Sequence, residues 1–251
     1  MALNLEGHVA LVTGSTTGLG KGIALSLGQA GAKVALNYRN NSERAERALA
    51  EVTGAGVVAK LYRADVVDPG SIAEMCARIE QELGVVDILV PNATPDQPHK
   101  PIERYDLQFY QSMCDFFIKS PFLLTKAVIA GMKAKKWGRI VNIGSEVYQA
   151  SVGNFSAYVA AKGGQQGWTR SMATELAGFG ITVNIVCPGW IPTERHEKDP
   201  QEEKDAYFAT IPMGRWGTPK DVGDAVLYFA SEEAAFVSGQ TLCVNGANTP
   251  W

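Results

Sequence analysis

Short runs of aliphatic and β-branched residues alternate along this chain with longer stretches whose apolar residues recur every three or four positions. The runs 9–13, 33–38, 57–63, 87–90, 139–143, 182–187 and 241–244 predict strands, and the stretches 18–30, 42–52, 71–83, 107–134, 157–177 and 220–230 predict helices. Strands that are apolar almost throughout, rather than at every second position, need cover on both faces, and strands separated by helices pair in parallel. No linker, repeat or low-complexity tract breaks the alternation. The pattern predicts one α/β domain over residues 1–251: a Rossmann-type doubly wound parallel sheet of about seven strands with helices on both faces.

Three stretches lack such a pattern: 91–101, 146–155 and 189–213. Each follows a strand, and in an open α/β sheet the ligand sits beyond the carboxyl ends of the strands, so all three are expected to rim one crevice. The longest, 189–213, has a short helical segment near 202–209 and is expected to act as a substrate lid; a surface insertion without a role is the alternative.

Composition narrows the function. A chain of 251 residues with 46% hydrophobic and 20% charged residues can bury a large core. Its net charge of -3 argues against a nucleic-acid surface, which needs a basic face to neutralise phosphates. No run approaches the ~18 apolar residues of a membrane span. Residues 1–6 lead straight into a strand-like run, so no signal peptide is predicted. The four cysteines (Cys76, Cys114, Cys187 and Cys243) have neither CxxC spacing nor a His cluster, so no metal is expected. They fit reduced, mostly buried thiols in a cytoplasmic protein.

Directly after the first strand stands Thr13-Gly14-Ser15-Thr16-Thr17-Gly18-Leu19-Gly20. Glycine here permits a sharp turn at Gly14, close approach of backbone N–H groups to a pyrophosphate at Gly18, and tight helix–strand packing at Gly20. The phosphates then lie at the positive end of the first helix. The second strand ends in Asn37-Tyr38-Arg39-Asn40-Asn41-Ser42, without an acid to accept hydrogen bonds from ribose hydroxyls. Arg39 can pair instead with a 2′-phosphate, which favours NADP(H) and leaves NAD(H) open. An Arg39 that merely faces solvent is the alternative.

Tyr158 and Lys162, four residues apart, share one face of a predicted helix. A phenol titrates near ~10, and a cation beside it lowers that value, so Lys162 is expected to bring Tyr158 toward a useful range. Ser145 ends the fifth strand, where its hydroxyl can hold a substrate oxygen beside the phenol.

With these residues in place, the chain resembles the short-chain dehydrogenase/reductase family, near its 3-oxoacyl-carrier-protein-reductase-like and glucose-dehydrogenase-like branches. The resemblance runs through the glycine loop, Asp65-Val66, Asn92-Ala93, Ser145 with Tyr158 and Lys162, Asn184, Pro188-Gly189, Gly239-Gln240-Thr241 and Asn245-Gly246. It implies a catalytic set of Ser145, Tyr158 and Lys162. It implies a cofactor site of Gly14, Ser15, Thr17, Gly18, Leu19 and Gly20, with Arg39, Asp65 and Val66 at the adenosine and Asn92 beside the ribose. Tyr158, Lys162, Pro188, Gly189, Ile191 and Thr193 complete that site toward the nicotinamide. A homotetramer is implied as well, with 107–134 and 157–177 pairing between subunits; Trp251 is expected to pack on a neighbour.

Two departures from the family pattern stand out. Thr94 follows Asn92-Ala93 where the family has glycine. Phe117 falls where an asparagine is thought to hold a water that relays protons from the lysine, and a phenylalanine cannot bind that water. The expected substrate pocket is Thr94, Glu146, Gln149, Trp190 and His196, with Pro95 and Arg195 nearby. This mix suits a sugar, sugar acid or small hydroxylated ketone, reduced or oxidised through NADP(H). A 3-oxoacyl thioester is the alternative substrate. An NADP(H)-binding sensor or scaffold, and a redox-neutral epimerase or dehydratase, are alternatives of other classes.

Overall fold

The strands form because their residues can be covered from both sides. Val9–Val12 is buried at every position, as are Gly138–Ile143 and Ile181–Pro188. The structure is a computed structural model describing residues 3–250, so the expectation for Trp251 lies outside the described residues. In chain order it contains β1 (Val9–Val12), α1 (Gly18–Gln29), β2 (Lys33–Tyr38), α2 (Ser42–Gly54), β3 (Ala59–Arg63), α3 (Pro69–Glu82), β4 (Ile88–Val90), α4 (Leu107–Cys114), α5 (Ser120–Lys135), β5 (Gly138–Ile143), α6 (Val147–Ala150), α7 (Ser156–Leu176), β6 (Ile181–Pro188), α8 (Gln201–Phe208), α9 (Pro219–Ala230) and β7 (Thr241–Val244). The seven strands make one parallel sheet in the order β3-β2-β1-β4-β5-β6-β7. This is the single-domain, doubly wound Rossmann-type arrangement. Its strand order reverses between β1 and β4, where such sheets bind ligands.

One apolar layer lies on each face. Ile23 and Leu27 of α1, Val52 of α2, and Val222, Val226 and Phe229 of α9 cover one side. Ile72 and Ile79 of α3, Leu124, Val128 and Met132 of α5, and Ala173 and Leu176 of α7 cover the other. Each of the Val, Leu, Ile, Phe and Met side chains among them, fully buried, contributes about 1.5–3 kcal/mol. Side chains also fix the helix starts: Asn41 accepts from Arg44 N at α2, Asp68 from Ser71 N at α3, and Thr218 from Asp221 N at α9. Asp87, buried before β4, accepts from Val9 N at 2.9 Å and Lys135 Nζ at 2.6 Å, tying β1 to the end of α5.

The stretch 107–134, predicted as one helix, is interrupted. Asp115–Lys119 winds as a π-helix between α4 and α5, and Ser120 N–H reaches back to Asp115 O. The physical reason is Pro121. It has no N–H to give to the carbonyl of Phe117, so the four-residue ladder cannot pass this point and the wider turn takes its place. Of the cysteines, predicted mostly buried, only Cys187 is buried; Cys76, Cys114 and Cys243 are half-buried, and all are free thiols.

Candidate active site

The glycine loop joins β1 to α1 at the switch point. Gly18 has φ +51°, a conformation that side chains rarely adopt, and it opens α1 without a capping side chain from Thr17. A Cβ on Gly20 would lie 2.6 Å from Asn92 Nδ2 and 2.8 Å from Ser15 Cα. The loop is therefore tight against its neighbours at Gly20. Asn92 Nδ2 donates to Thr13 O at 2.8 Å, and Thr13 Oγ1 accepts from Asn92 N and Ala93 N. Thr94, where the family has glycine, is exposed and bonded to its own loop through Pro95 O and Gln97.

A residue that sequence reasoning left without a role fastens this loop. Asn37, buried near the end of β2, accepts from Gly14 N at 3.1 Å, donates its backbone N–H to Ser15 Oγ at 3.0 Å, and donates its side-chain amide to Ala64 O. The signal was a polar side chain interrupting the apolar run of β2. At the strand end, exposed Arg39 and half-buried Asp65 lie 3.6 Å apart. Val66 is buried beside them.

Glu194 also went unassigned. Its carboxylate accepts from Gly18 N at 3.1 Å and lies 3.7 Å from Lys21 Nζ. Burial raises the Glu194 carboxyl, but hydrogen bonds from its own N–H, Thr17 and Gly18, together with the Lys21 charge, outweigh it and hold the group below the usual carboxylate range. An anion thus already stands at the N-terminus of α1, where a pyrophosphate is expected. The residues present fit a dinucleotide: the loop offers backbone N–H groups beside glycines, and the helix end already holds a carboxylate.

At the other end of the crevice, Ser145 follows β5 while Tyr158 and Lys162 come from α7. Ser145 Oγ accepts from Val147 N at 3.4 Å, and its hydroxyl acts on the Tyr158 phenol, lowering its pKa. Lys162 is buried, its Nζ donating to Ile143 O at 2.6 Å and Gln165 Oε1 at 3.2 Å. Phe117 is also buried and stands edge-on to Tyr158, ring centroids 5.1 Å apart, with Lys162 Nζ 3.9 Å above its face. These contacts overturn one expectation. The net shift of Tyr158 is upward, not downward: burial pushes its phenol up to about 12, against the lowering effects of Ser145 and the Arg195 charge. Lys162 Nζ lies 5.6 Å from the Tyr158 ring centroid and gives its hydrogen bonds elsewhere. Burial in turn pushes the Lys162 ammonium down to about 7. At neutral pH the phenol keeps its proton, which is the state a proton donor needs.

The pocket residues divide. The carboxylate of Glu146 is occupied within the fold. Glu146 is buried, and its carboxylate is taken by the Tyr207 hydroxyl, by Asn245 Nδ2 at 3.0 Å and by Asn248 Nδ2 at 3.4 Å. It ties α8 and the chain after β7 to the end of β5, a role that needed the tertiary fold to be visible. Trp190 stands edge-on to His196, Tyr207 and Trp216, with centroids 5.9, 5.4 and 6.2 Å away. His196 Nδ1 accepts from Thr193 N at 3.2 Å, fixing the short turn after Ile191. Gln149 is half-buried on α6, and Arg195 reaches across to Pro95 O at 3.2 Å, joining two of the rim stretches. Among the described residues no group of three or more His, Cys, Asp or Glu side chains could hold a metal, and no helix is long and apolar enough to cross a membrane.

This architecture and site are those of a nicotinamide-dinucleotide oxidoreductase. The family described as enoyl-(acyl carrier protein) reductase matches residues 14–248. The chain is 38% identical over 244 residues to the 3-oxoacyl-(acyl-carrier-protein) reductase FabG of Escherichia coli, covering 97% of this chain and 98% of that one. It is 40% identical, with the same coverage, to the protein of that name from Vibrio cholerae. Among solved structures it superposes on a gluconate 5-dehydrogenase from Burkholderia cenocepacia in complex with NADP and tartrate, with TM-score 0.89, 31% identity, and 98% and 96% of the two chains covered. It also superposes on a 3-oxoacyl (acyl-carrier-protein) reductase from Agrobacterium tumefaciens with NADP bound, with TM-score 0.89, 30% identity, and 97% and 95% covered. The chain belongs to the short-chain dehydrogenase/reductase family, whose members are NAD(P)-dependent enzymes.

Proposed function

We propose that this protein is an NADP(H)-preferring reductase of small, polar carbonyl compounds, a sugar acid or hydroxylated ketone. The observation that carries the reading is the meeting of Ser145, a protonated Tyr158 and a buried Lys162 at one end of a crevice whose other end binds an anion at α1. When bound, the cofactor supplies the hydride. Gly14, Ser15, Thr17, Gly18, Leu19 and Gly20 hold its phosphates once Glu194 has yielded the helix end. Arg39 pairs with the 2′-phosphate, Asp65 and Val66 flank the adenine, and Lys162, Ile191 and Thr193 hold the nicotinamide half, with Asn92, Pro188 and Gly189 shaping its bed. Ser145 orients the substrate oxygen while Tyr158 gives it a proton.

Arg195 supports an anionic substrate, since its charge reaches the Tyr158 phenol. Trp190, His196, Gln149 and Thr94 complete the pocket, and 189–213 serves as its lid. The exposed side chains Ile102, Leu107, Tyr110 and Phe122, near and along α4 and α5, support assembly into a homotetramer. A second reading, reduction of 3-oxoacyl thioesters, rests on the names of the curated relatives. Oxidation of NADPH by purified protein against a keto sugar acid and an acetoacetyl thioester separates them. Faster turnover of the sugar acid is expected. Faster turnover of the thioester favours the second reading, and turnover of neither overturns both.

A further inference from the structure

Lys162 is an ammonium enclosed by protein. It is buried, and among the described residues none of the ion pairs includes it. A buried charge of this kind persists only where its N–H groups find acceptors. Two oxygens meet it: the carbonyl of Ile143 at 2.6 Å and the side-chain amide of Gln165 at 3.2 Å. The face of Phe117 lies 3.9 Å from Nζ and attracts the cation without taking a proton from it, which leaves one N–H for a bound ligand. Ile143 O belongs to the β5 backbone and is fixed. The side-chain acceptor Gln165 is itself buried, and its position on α7 is braced by Thr169, whose hydroxyl donates to Gln165 O at 2.8 Å and accepts from Asn142 Nδ2 at 3.0 Å. A glutamine one turn beyond the lysine on a covered helix face is out of keeping with packing alone, since burying its amide costs free energy unless it is used.

We propose that Gln165 is a positioning residue for the reduction, holding Lys162 in its charged form behind Tyr158 and against the face of Phe117. The proton on Lys162 stabilises the negative charge that develops on Tyr158 as it gives up its own, so the rate of reduction follows the fraction of charged Lys162. The titratable neighbours acting on Lys162 are Tyr158, one turn earlier on α7, and Cys187 of β6, whose influence favours the charged lysine. From β5 and the π-helix come only the Ile143 carbonyl and the Phe117 ring. Arg195 acts on Tyr158 from the rim. This inference rests on the reading of Tyr158 as proton donor; the lysine titration described next does not.

Two variants test it. Gln165→Met keeps length and volume but removes the acceptor; Gln165→Glu strengthens it. In the free protein, the Lys162 Cε resonance, assigned by its loss in Lys162→Ala, is titrated by NMR. The expected midpoint falls by about one pH unit or more in Gln165→Met and rises in Gln165→Glu. In turnover, kcat for reduction falls as pH rises through that midpoint. Gln165→Met is therefore expected within about threefold of wild type near pH ~5.5 and about tenfold or more below it near pH ~8, while Gln165→Glu extends activity to higher pH. A midpoint and pH limb unmoved in both variants, or a loss equal at every pH, overturns the proposal. Turnover retained in Tyr158→Phe instead strikes the underlying reading, while the lysine titration still judges Gln165.

Discussion

Lys162 costs the fold stability, and the sign of that cost can be measured. Its ordinary value of 10.5 falls to about 7 through burial. Between those values the unfolded chain binds the proton that the native state has lost, so stability rises with pH across this window. The cost is full below about pH 7 and is relieved toward pH ~10.5. Lys162→Met is accordingly expected to raise the melting temperature at pH ~6, by about 2–4 °C for each kcal/mol gained, with a gain that shrinks as pH rises. It is expected to abolish reduction as well. A thermal scan at several pH values checks it; a variant less stable than wild type at pH ~6 contradicts the assignment of burial as the dominant effect. The pairing of Tyr158 and Lys162 on one helix face was legible from their spacing. The direction in which Tyr158 titrates was not, because it depends on rings brought in from elsewhere: Phe117 from the π-helix and Phe155, whose centroid lies 4.9 Å from that of Tyr158.

At the scale of elements, the loop from β1 to α1 concentrates the constraint. A methyl group on Gly20 would press on Asn92 Nδ2 and on the backbone of Ser15, and backbone cannot step aside as the end of a flexible side chain can. Gly20→Ala is therefore expected to weaken NADPH binding by about tenfold or more and to destabilise the fold by about 1–3 kcal/mol. Fluorescence titration and a denaturant curve measure the two; wild-type affinity would show that the loop has slack. The glycine loop and the strand–helix alternation were readable because each is set by neighbours in sequence. Helix interruption at Asp115–Lys119 was missed although Pro121 announces it, since apolar spacing continues smoothly through the break. Glu146 was misplaced for the opposite reason. Its partners Tyr207, Asn245 and Asn248 lie 61 to 102 residues away and meet it only in the folded chain.

Across the whole molecule, the two ends of the crevice belong to the two halves of the sheet. β1 and β2 carry the anion-binding loop and its fastening by Asn37, while β5 and β6 carry Ser145 and the floor beneath α7. Glu194 and Arg195 come from the 189–213 segment and touch both ends, one at Gly18 and the other at Pro95 with its charge on Tyr158. If the cofactor binds at the glycine loop as proposed, its phosphates would displace Glu194 from Gly18 N, and the 189–213 segment would answer to the nucleotide. In the proposed reduction, driven by NADPH, Tyr158 donates the proton. The most direct measurement of this role is the loss of reduced-nicotinamide absorbance on a keto sugar acid by wild type and Tyr158→Phe, alongside NADPH affinity for both. In the variant kcat is expected to fall by about 100- to 10,000-fold, with affinity changed less than about threefold. Turnover kept within about tenfold of wild type would contradict it.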